Sequence, residues 1–282
     1  MSSSATTVER RNSGTAVAFA MLFFAVGQLI SPVFTAVFGG SFTTSNRTGE
    51  PPLTPAGYTF SIWFVIEVVS VAYAIFAVRR RTHADAHLID RLALPLLVVF
   101  AGFSVWLVAA EAEPVWSTLV VIVIMFAALL QALRIALTER DRIAAWPPIG
   151  RLLLWWTLGL YAGWISVAMW LNLTTAFAGS GAPITGTVGI VAQLATLAGA
   201  LGTAVIILRW TGGLIPYALA VGWGLVGAIV GTLGAGQPVL TVAAAVGLLI
   251  VAVATVVFRR GQPRGGQPRG GQPRVGQRGV RP

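Results

Sequence analysis

The chain has 282 residues, 56% of them hydrophobic and only 10% charged, whereas a soluble globular chain carries about 25% charged residues. There is no cysteine, so disulfides, thiol redox chemistry and thiolate metal sites are excluded. The 19 basic residues are all arginines and outnumber the 9 acidic ones, for a formal net charge of +10.

Eight apolar runs follow one another, at roughly 15–38, 58–78, 92–110, 115–133, 152–174, 186–208, 214–234 and 238–258. A helix of about 20 residues crosses a bilayer, and each run approaches or exceeds that length. In hydrocarbon every backbone polar group needs a partner within the protein, which leaves helices or closed barrels. These runs are too long and too uniformly apolar for barrel strands. The predicted fold is an all-α, polytopic transmembrane helix bundle of eight spans. The first run is read as an uncleaved span, because no convincing small-x-small cleavage site follows it.

Arginines orient the spans. With eight of them, every arginine except Arg47 falls on one side, in the segments before the first run, between alternate runs and after the last. An odd number of spans would break that pattern. The expected location is the cell inner (plasma) membrane, with both termini cytoplasmic. The outer connections are short apart from the first, so any function must sit in the bundle or at its mouth.

The second run opens on a Pro/Gly turn, Pro55-Ala56-Gly57-Tyr58-Thr59-Phe60. Phe60, Trp63, Glu67, Ser70 and Ala74 are spaced 3, 4, 3 and 4 and share one helix face. Much of the rest is Val and Ile, as a lipid-facing side should be. Glu67 is an ionisable group inside a span, which costs about 2.5–3.5 kcal/mol on insertion scales and marks a functional candidate. No basic residue lies within the runs to pair with it. Two readings stay open: a neutral carboxyl bonded to a neighbouring helix, or a proton-coupled or ligand-gripping group.

Between the second and third runs lie His83 and His87, at i, i+4 beside Arg79, Arg80 and Arg81. A solvated loop explains them better than a metal site, and no metal is expected. In the third run Trp106 precedes Glu113 by two turns, with Glu111 beside it. The fifth run repeats the pattern of the second. Tyr161, Trp164, Ala168, Asn172 and Thr175, spaced 3, 4, 4 and 3, share a face that Trp170 lies off.

Two readings of the indoles compete. Trp116, Trp146, Trp155, Trp156 and Trp210 lie near run ends and fit interfacial anchors. Trp63, Trp106 and Trp164 share stripes with polar residues, as the lining of a flat apolar ligand's cavity does. On that second reading, indoles from separate spans converge around one hollow inside the bundle.

The last three runs carry little chemistry. Gln193 reads as an interhelical hydrogen bond. Ala220, Gly224, Gly227 and Gly231 form a small-residue stripe that fits packing within the bundle or a homodimer. Residues 261–275 repeat Gly-Gln-Pro-Arg with glycine and lack apolar surface to bury, so the Arg-rich tail is expected to be disordered. It can contact anionic lipid, although reinforcement of topology is the simpler role; no specific nucleic acid is expected.

Pro55-Ala56-Gly57-Tyr58-Thr59-Phe60-Ser61-Ile62-Trp63 resembles the Pro-Pro-Gly-Trp-x-Phe…Trp segment opening the second helix of the TspO/MBR family, the tryptophan-rich sensory proteins and translocator proteins. Its wording is closer to an enlarged branch. Tyr161-x-x-Trp164-x-x-x-Ala168-x-x-Leu171-Asn172 resembles the family's fifth-helix motif, and Trp106 its third-helix Trp. Phe103 stands where the third-helix Asn should be, and Glu67 where the enlarged branch tends to have Tyr. The resemblance covers about 15–176.

It divides the chain into a cytoplasmic segment 1–14, a five-helix core 15–176, three additional helices 177–258 and a tail 259–282. It implies a core that binds porphyrins, haem-like tetrapyrroles or sterol-like molecules through Pro55, Gly57, Phe60, Trp63, Trp106, Tyr161, Trp164, Ala168 and Asn172; the helix face adds Glu67. The expected function is binding of such a flat apolar ligand, with a sensory or transport role. The alternative is a small proton-coupled secondary transporter that uses Glu67. Beyond a porphyrin- or haem-like ligand no cofactor is expected. The chain shows no metal or nucleophile constellation, so no enzyme is expected, and a tetrapyrrole-degrading activity ranks last.

Overall fold

The computed structural model describes residues 15–31, 50–80, 86–111 and 116–261. The 1–14 segment, Arg47, Arg81, His83, Glu113, the Glu111 side chain and the tail from 262 onward lie outside the described residues.

The described residues form helices and no strand. They are α1 (Thr15–Ser31), a 3-10 turn (Gly57–Ser61) that runs into α2 (Ile62–Arg80), α3 (Ala86–Glu111), α4 (Ser117–Thr138), the short α5 (Arg140–Ala144), α6 (Pro148–Gly179), α7 (Gly186–Thr211), α8 (Ile215–Gly234) and α9 (Pro238–Arg260). Seven spans, the turn plus α2 and then α3, α4, α6, α7, α8 and α9, are long and apolar enough to cross a membrane; α1 is a shorter apolar helix. The all-α polytopic bundle is therefore the fold.

Helix ends depart from the hydropathy limits where hydrogen bonding continues past the hydrocarbon. α3 begins at Ala86, well before the run at 92, because His87, Asp90 and Arg91 extend it on the polar side. α6 spans 32 residues. Proline stands at the first or second position of α6, α8 and α9, as Pro148, Pro216 and Pro238, where its missing N–H has no intrahelical partner to lose. α7 stops at Gly212, whose φ of +69° is open to glycine, and the Gly213 N–H closes on Leu208 O at 2.7 Å.

α6 is the axis of the bundle. It packs against α2, α4, α7 and α8, and every residue from Thr157 to Ser166 is buried. A helix buried on all sides belongs to the core. α3 lies on α4, and α9 on α7 and α8. α1 is tied to α6 by a Tyr161–Gln28 hydrogen bond and to α3 by a Ser31–Ser104 hydroxyl pair at 2.8 Å. The outside is apolar: Phe64, Val108, Ile206, Leu233 and Leu249 are all exposed. The Val/Ile side expected of α2 is there, as Val65, Val68 and Ile75.

Charge gathers where α3 starts and α4 ends. Arg91 pairs with Glu139, which also holds Arg142 at 3.2 Å. The Arg140 guanidinium lies 5.7 Å from the centre of the Trp155 ring, and Arg151 donates to Ala144 O at 2.9 Å. Partly exposed pairs like these contribute about 0–1 kcal/mol each; their value here is positional. The short α5, placed in a polar connection, goes unnoticed by hydropathy, and only its Ile143 is buried.

α6 approaches α8 closely enough for backbone to meet backbone. A Cβ on Gly163 would lie 2.5 Å from Tyr217 O and 2.8 Å from Ala220 Cβ, whereas one on Gly202 in α7 would meet nothing within 4 Å. Gly163→Ala is expected to lower stability by about 1–3 kcal/mol through overpacking. Gly202→Ala should be neutral or stabilising by up to about 1 kcal/mol. Thermal unfolding in detergent, followed by intrinsic fluorescence, checks both; equal effects would contradict this packing.

Candidate functional site

Three helices bring aromatic rings to one place. The 3-10 turn sets Phe60 edge-on to Trp164 of α6, with ring centres 5.8 Å apart and an interplanar angle of 87°. One turn later Trp63 meets Phe103 at 4.5 Å, Tyr161 at 5.7 Å, Trp164 at 6.2 Å and Trp106 at 6.3 Å. Helical spacing explains the convergence. Tyr161 and Trp164 are i, i+3 on α6, and Phe100, Phe103 and Trp106 repeat every three residues along α3. Each edge-to-face pair adds about 0.5–1.5 kcal/mol beyond its buried area.

Trp63 and Trp164 are 5% and 2% exposed, so the indoles converge inside the bundle. Across the expected hollow ring meets ring, at the distances given above. One cavity of about 650 Å³ runs between α1 and α3, bounded by Phe19, Phe23, Ser104 and Leu107. Another of about 420 Å³ lies between α6 and α7, bounded by Trp170, Phe177 and Gln193.

The polar groups around the cluster fall into two sets. One is satisfied. The Tyr161 hydroxyl donates to Gln28 Oε1 at 2.5 Å. Trp106 Nε1 donates to Asn172 Oδ1 at 3.4 Å, and Asn172 Nδ2 donates to Ala168 O at 2.8 Å, which fixes the amide. The other set is not. Trp63 Nε1, Trp164 Nε1, Glu67 Oε1, Ser70 Oγ and Tyr73 OH are buried without a hydrogen-bond partner. Four of these five belong to α2 at spacings of 4, 3 and 3, one continuous face.

A buried polar group left unpaired costs about 1–3 kcal/mol. Native proteins carry only a few of them per 100 residues. Several on one helix face beside an aromatic cluster therefore call for an account. Chemically the α2 face and Trp164 of α6 together offer two indole donors, two hydroxyls and a carboxyl, framed by π surfaces. That set suits a flat apolar molecule with a few polar atoms.

The other predicted residues lie around this centre. Pro55 is buried behind it, on a narrow gap shared with Val167, Trp170 and Gly224. Gly57 starts the 3-10 turn, and Ala168 serves through its carbonyl. Thr175 is exposed. Trp170, off the common face, bonds Thr203 of α7 at 3.1 Å. Trp116 and Trp210 are exposed near helix ends, as anchors should be, but Trp146 is 3% exposed and lies against Phe76.

Sequence reasoning missed Gln28, Tyr73 and Phe100. Gln28 had a signal, a lone amide in an apolar run. Tyr73 continues the Trp63–Glu67–Ser70 spacing by three. Phe103 stood out only as replacing the third-helix Asn, and Phe100 carried no signal beyond its apolar run.

The Tyr161–Gln28 pair yields a double-mutant test. Tyr161→Phe strands a buried amide oxygen and is expected to cost about 1–3 kcal/mol, whereas replacing both partners with apolar residues approaches neutrality. Thermal unfolding should therefore place Tyr161→Phe/Gln28→Leu above Tyr161→Phe alone. A double variant less stable than the single one would contradict the bond.

A family model described as TSPO-like protein matches residues 15–257. The match runs on through α7, α8 and most of α9, beyond the 15–176 that the two motifs covered. No curated protein and no solved structure matches the chain. The matched length takes in the whole described bundle up to the last turn of α9, aromatic cluster included. The chain is thus a multi-pass membrane protein and belongs to the TSPO-like protein family.

Proposed function

We propose that this TSPO-like protein binds a flat apolar ligand, of the tetrapyrrole or porphyrin class or sterol-like, at the Trp63–Trp164 cluster, with a sensory or transport role. The observation that carries this reading is the row of buried, unpartnered polar atoms beside stacked and edge-on rings. A bound molecule with a few polar atoms would supply the missing partners, and the rings would supply the π surface. Because the rings touch one another, they must shift to admit a ligand between them. The reading is one of binding, not turnover. The proposed location is the plasma membrane with cytoplasmic termini, supported by the gathering of Arg91, Arg142, Arg140 and Arg151 at one end.

Glu67 supports a second reading, proton-coupled transport. Its carboxyl is 3% exposed and Oε1 has no partner, and an unpaired carboxyl at membrane depth is a proton-relay candidate.

Titration of the detergent-solubilised protein with protoporphyrin IX tests the first reading. Saturable quenching of tryptophan fluorescence is expected. Trp164→Phe keeps a ring and loses one donor, which should weaken binding by about fivefold, the equivalent of roughly 1 kcal/mol. No quenching in the wild type would remove the reading. Uptake into vesicles under an imposed pH gradient tests the second. Glu67→Gln should abolish the gradient dependence, and uptake indifferent to both gradient and substitution would remove that reading.

A further inference from the structure

The segment 50–56 has no regular structure, yet Pro51, Leu53 and Pro55 within it are buried, as is Thr59 in the 3-10 turn that follows. Irregular backbone in such a place must find its hydrogen bonds inside the protein. Two of its bonds are local: Thr54 N–H to Pro51 O and Thr59 N–H to Ala56 O, each at 2.9 Å. Three others cross to the helices that follow α6. The Leu53 N–H donates to Gln193 Oε1 of α7 at 2.8 Å. The Ala56 N–H donates to Gly227 O of α8 at 3.0 Å. Thr59 O accepts from Trp223 Nε1 of α8 at 2.7 Å.

Both side chains are built for this. Gln193 is oriented by its own amide, which donates to Ile184 O at 2.8 Å and Gly189 O at 3.1 Å. Trp223 also meets Tyr58 edge-on, with ring centres 5.7 Å apart. The small-residue stripe of α8 admits the segment. A Cβ on Gly227 would lie 2.1 Å from Thr59 Oγ1, and one on Gly231 would lie 2.4 Å from Thr54 O. The stripe is thus spent inside the bundle, on a stretch of chain and not only on a helix.

Thr59 is followed at once by Phe60, and Trp63 stands one turn on. We propose that α7 and α8 set the position of the 53–59 segment and, through it, of Phe60 and Trp63, so that Gln193 and Trp223 are positioning residues of the ligand site. They act through the backbone of the segment. The effect on binding rests on the function proposed above; the clamp itself does not.

The test uses the full chain in detergent and three variants. Trp223→Phe keeps a ring against Tyr58 and drops the N–H to Thr59 O. Gln193→Met drops the acceptor for Leu53. Trp170→Phe is the control, because it drops an N–H to Thr203 between α6 and α7, removes no hydrogen bond to the segment and keeps a ring in the gap beside Pro55. Hydrogen exchange of the 50–64 peptide and the protoporphyrin IX dissociation constant are measured for each. In Trp223→Phe and Gln193→Met, exchange should quicken and binding weaken, each by about fivefold, as the loss of one hydrogen bond implies. Trp170→Phe should change neither. If Gln193→Met does not fold, Trp223→Phe decides alone.

Unchanged exchange in the variants that fold, or equal changes in Trp170→Phe, would overturn the inference. Faster exchange with unaltered affinity would overturn the positioning role. If the wild type binds no protoporphyrin, the proposed function fails, and exchange alone then decides whether the clamp exists.

Discussion

Hydrocarbon offers no hydrogen bonds, so each polar group inside this bundle must be answered by another part of the chain. That single constraint organises the structure. The irregular 50–56 stretch is answered by Gln193 and Gly227, and the Thr59 carbonyl by Trp223. Tyr161 is answered by Gln28 and Trp106 by Asn172. The answers stop at Trp63, Glu67, Ser70, Tyr73 and Trp164, which gather at the proposed site, and also at the Thr59 hydroxyl and the Trp146 indole.

The spans were legible because bilayer thickness imposes a length and lipid imposes a composition. The grouping of Phe60, Trp63, Glu67, Ser70 and Ala74, and of Tyr161 with Trp164, was legible because helical periodicity alone puts them on one face. The start of α3 and both ends of α6 were not, because hydropathy reports the hydrocarbon slab and not the hydrogen-bonded helix. Nor were the ring contacts at the centre of the cluster. Spacing says which rings share a face, but only the approach of α2, α3 and α6 decides whether rings touch or leave a void. The Gly224–Gly227–Gly231 stripe announced close contact without naming the neighbour, which proves to be Val167 and the 54–59 stretch. Gln193 was read as an interhelical bond, and its acceptor oxygen in fact serves a loop amide.

α6 links the two halves of the bundle. It carries Tyr161 and Trp164 on the side of α2, and opposes α8 through Gly163 and the Ser166–Tyr217 hydroxyl pair at 3.0 Å. A rearrangement of the cluster therefore meets α8 twice, once through α6 and once through the 53–59 segment.

The central claim is that unpartnered groups at the cluster are recognition elements. Proton–nitrogen correlation spectra of the indole groups, with nitrogen-15 tryptophan and assignments from Trp63→Phe and Trp164→Phe, test it most directly. Adding protoporphyrin IX is predicted to move the Trp63 and Trp164 indole signals toward the hydrogen-bonded range while Trp116 and Trp210 stay in place. Movement confined to Trp116 or Trp210, with Trp63 and Trp164 unchanged at saturating ligand, would contradict the account.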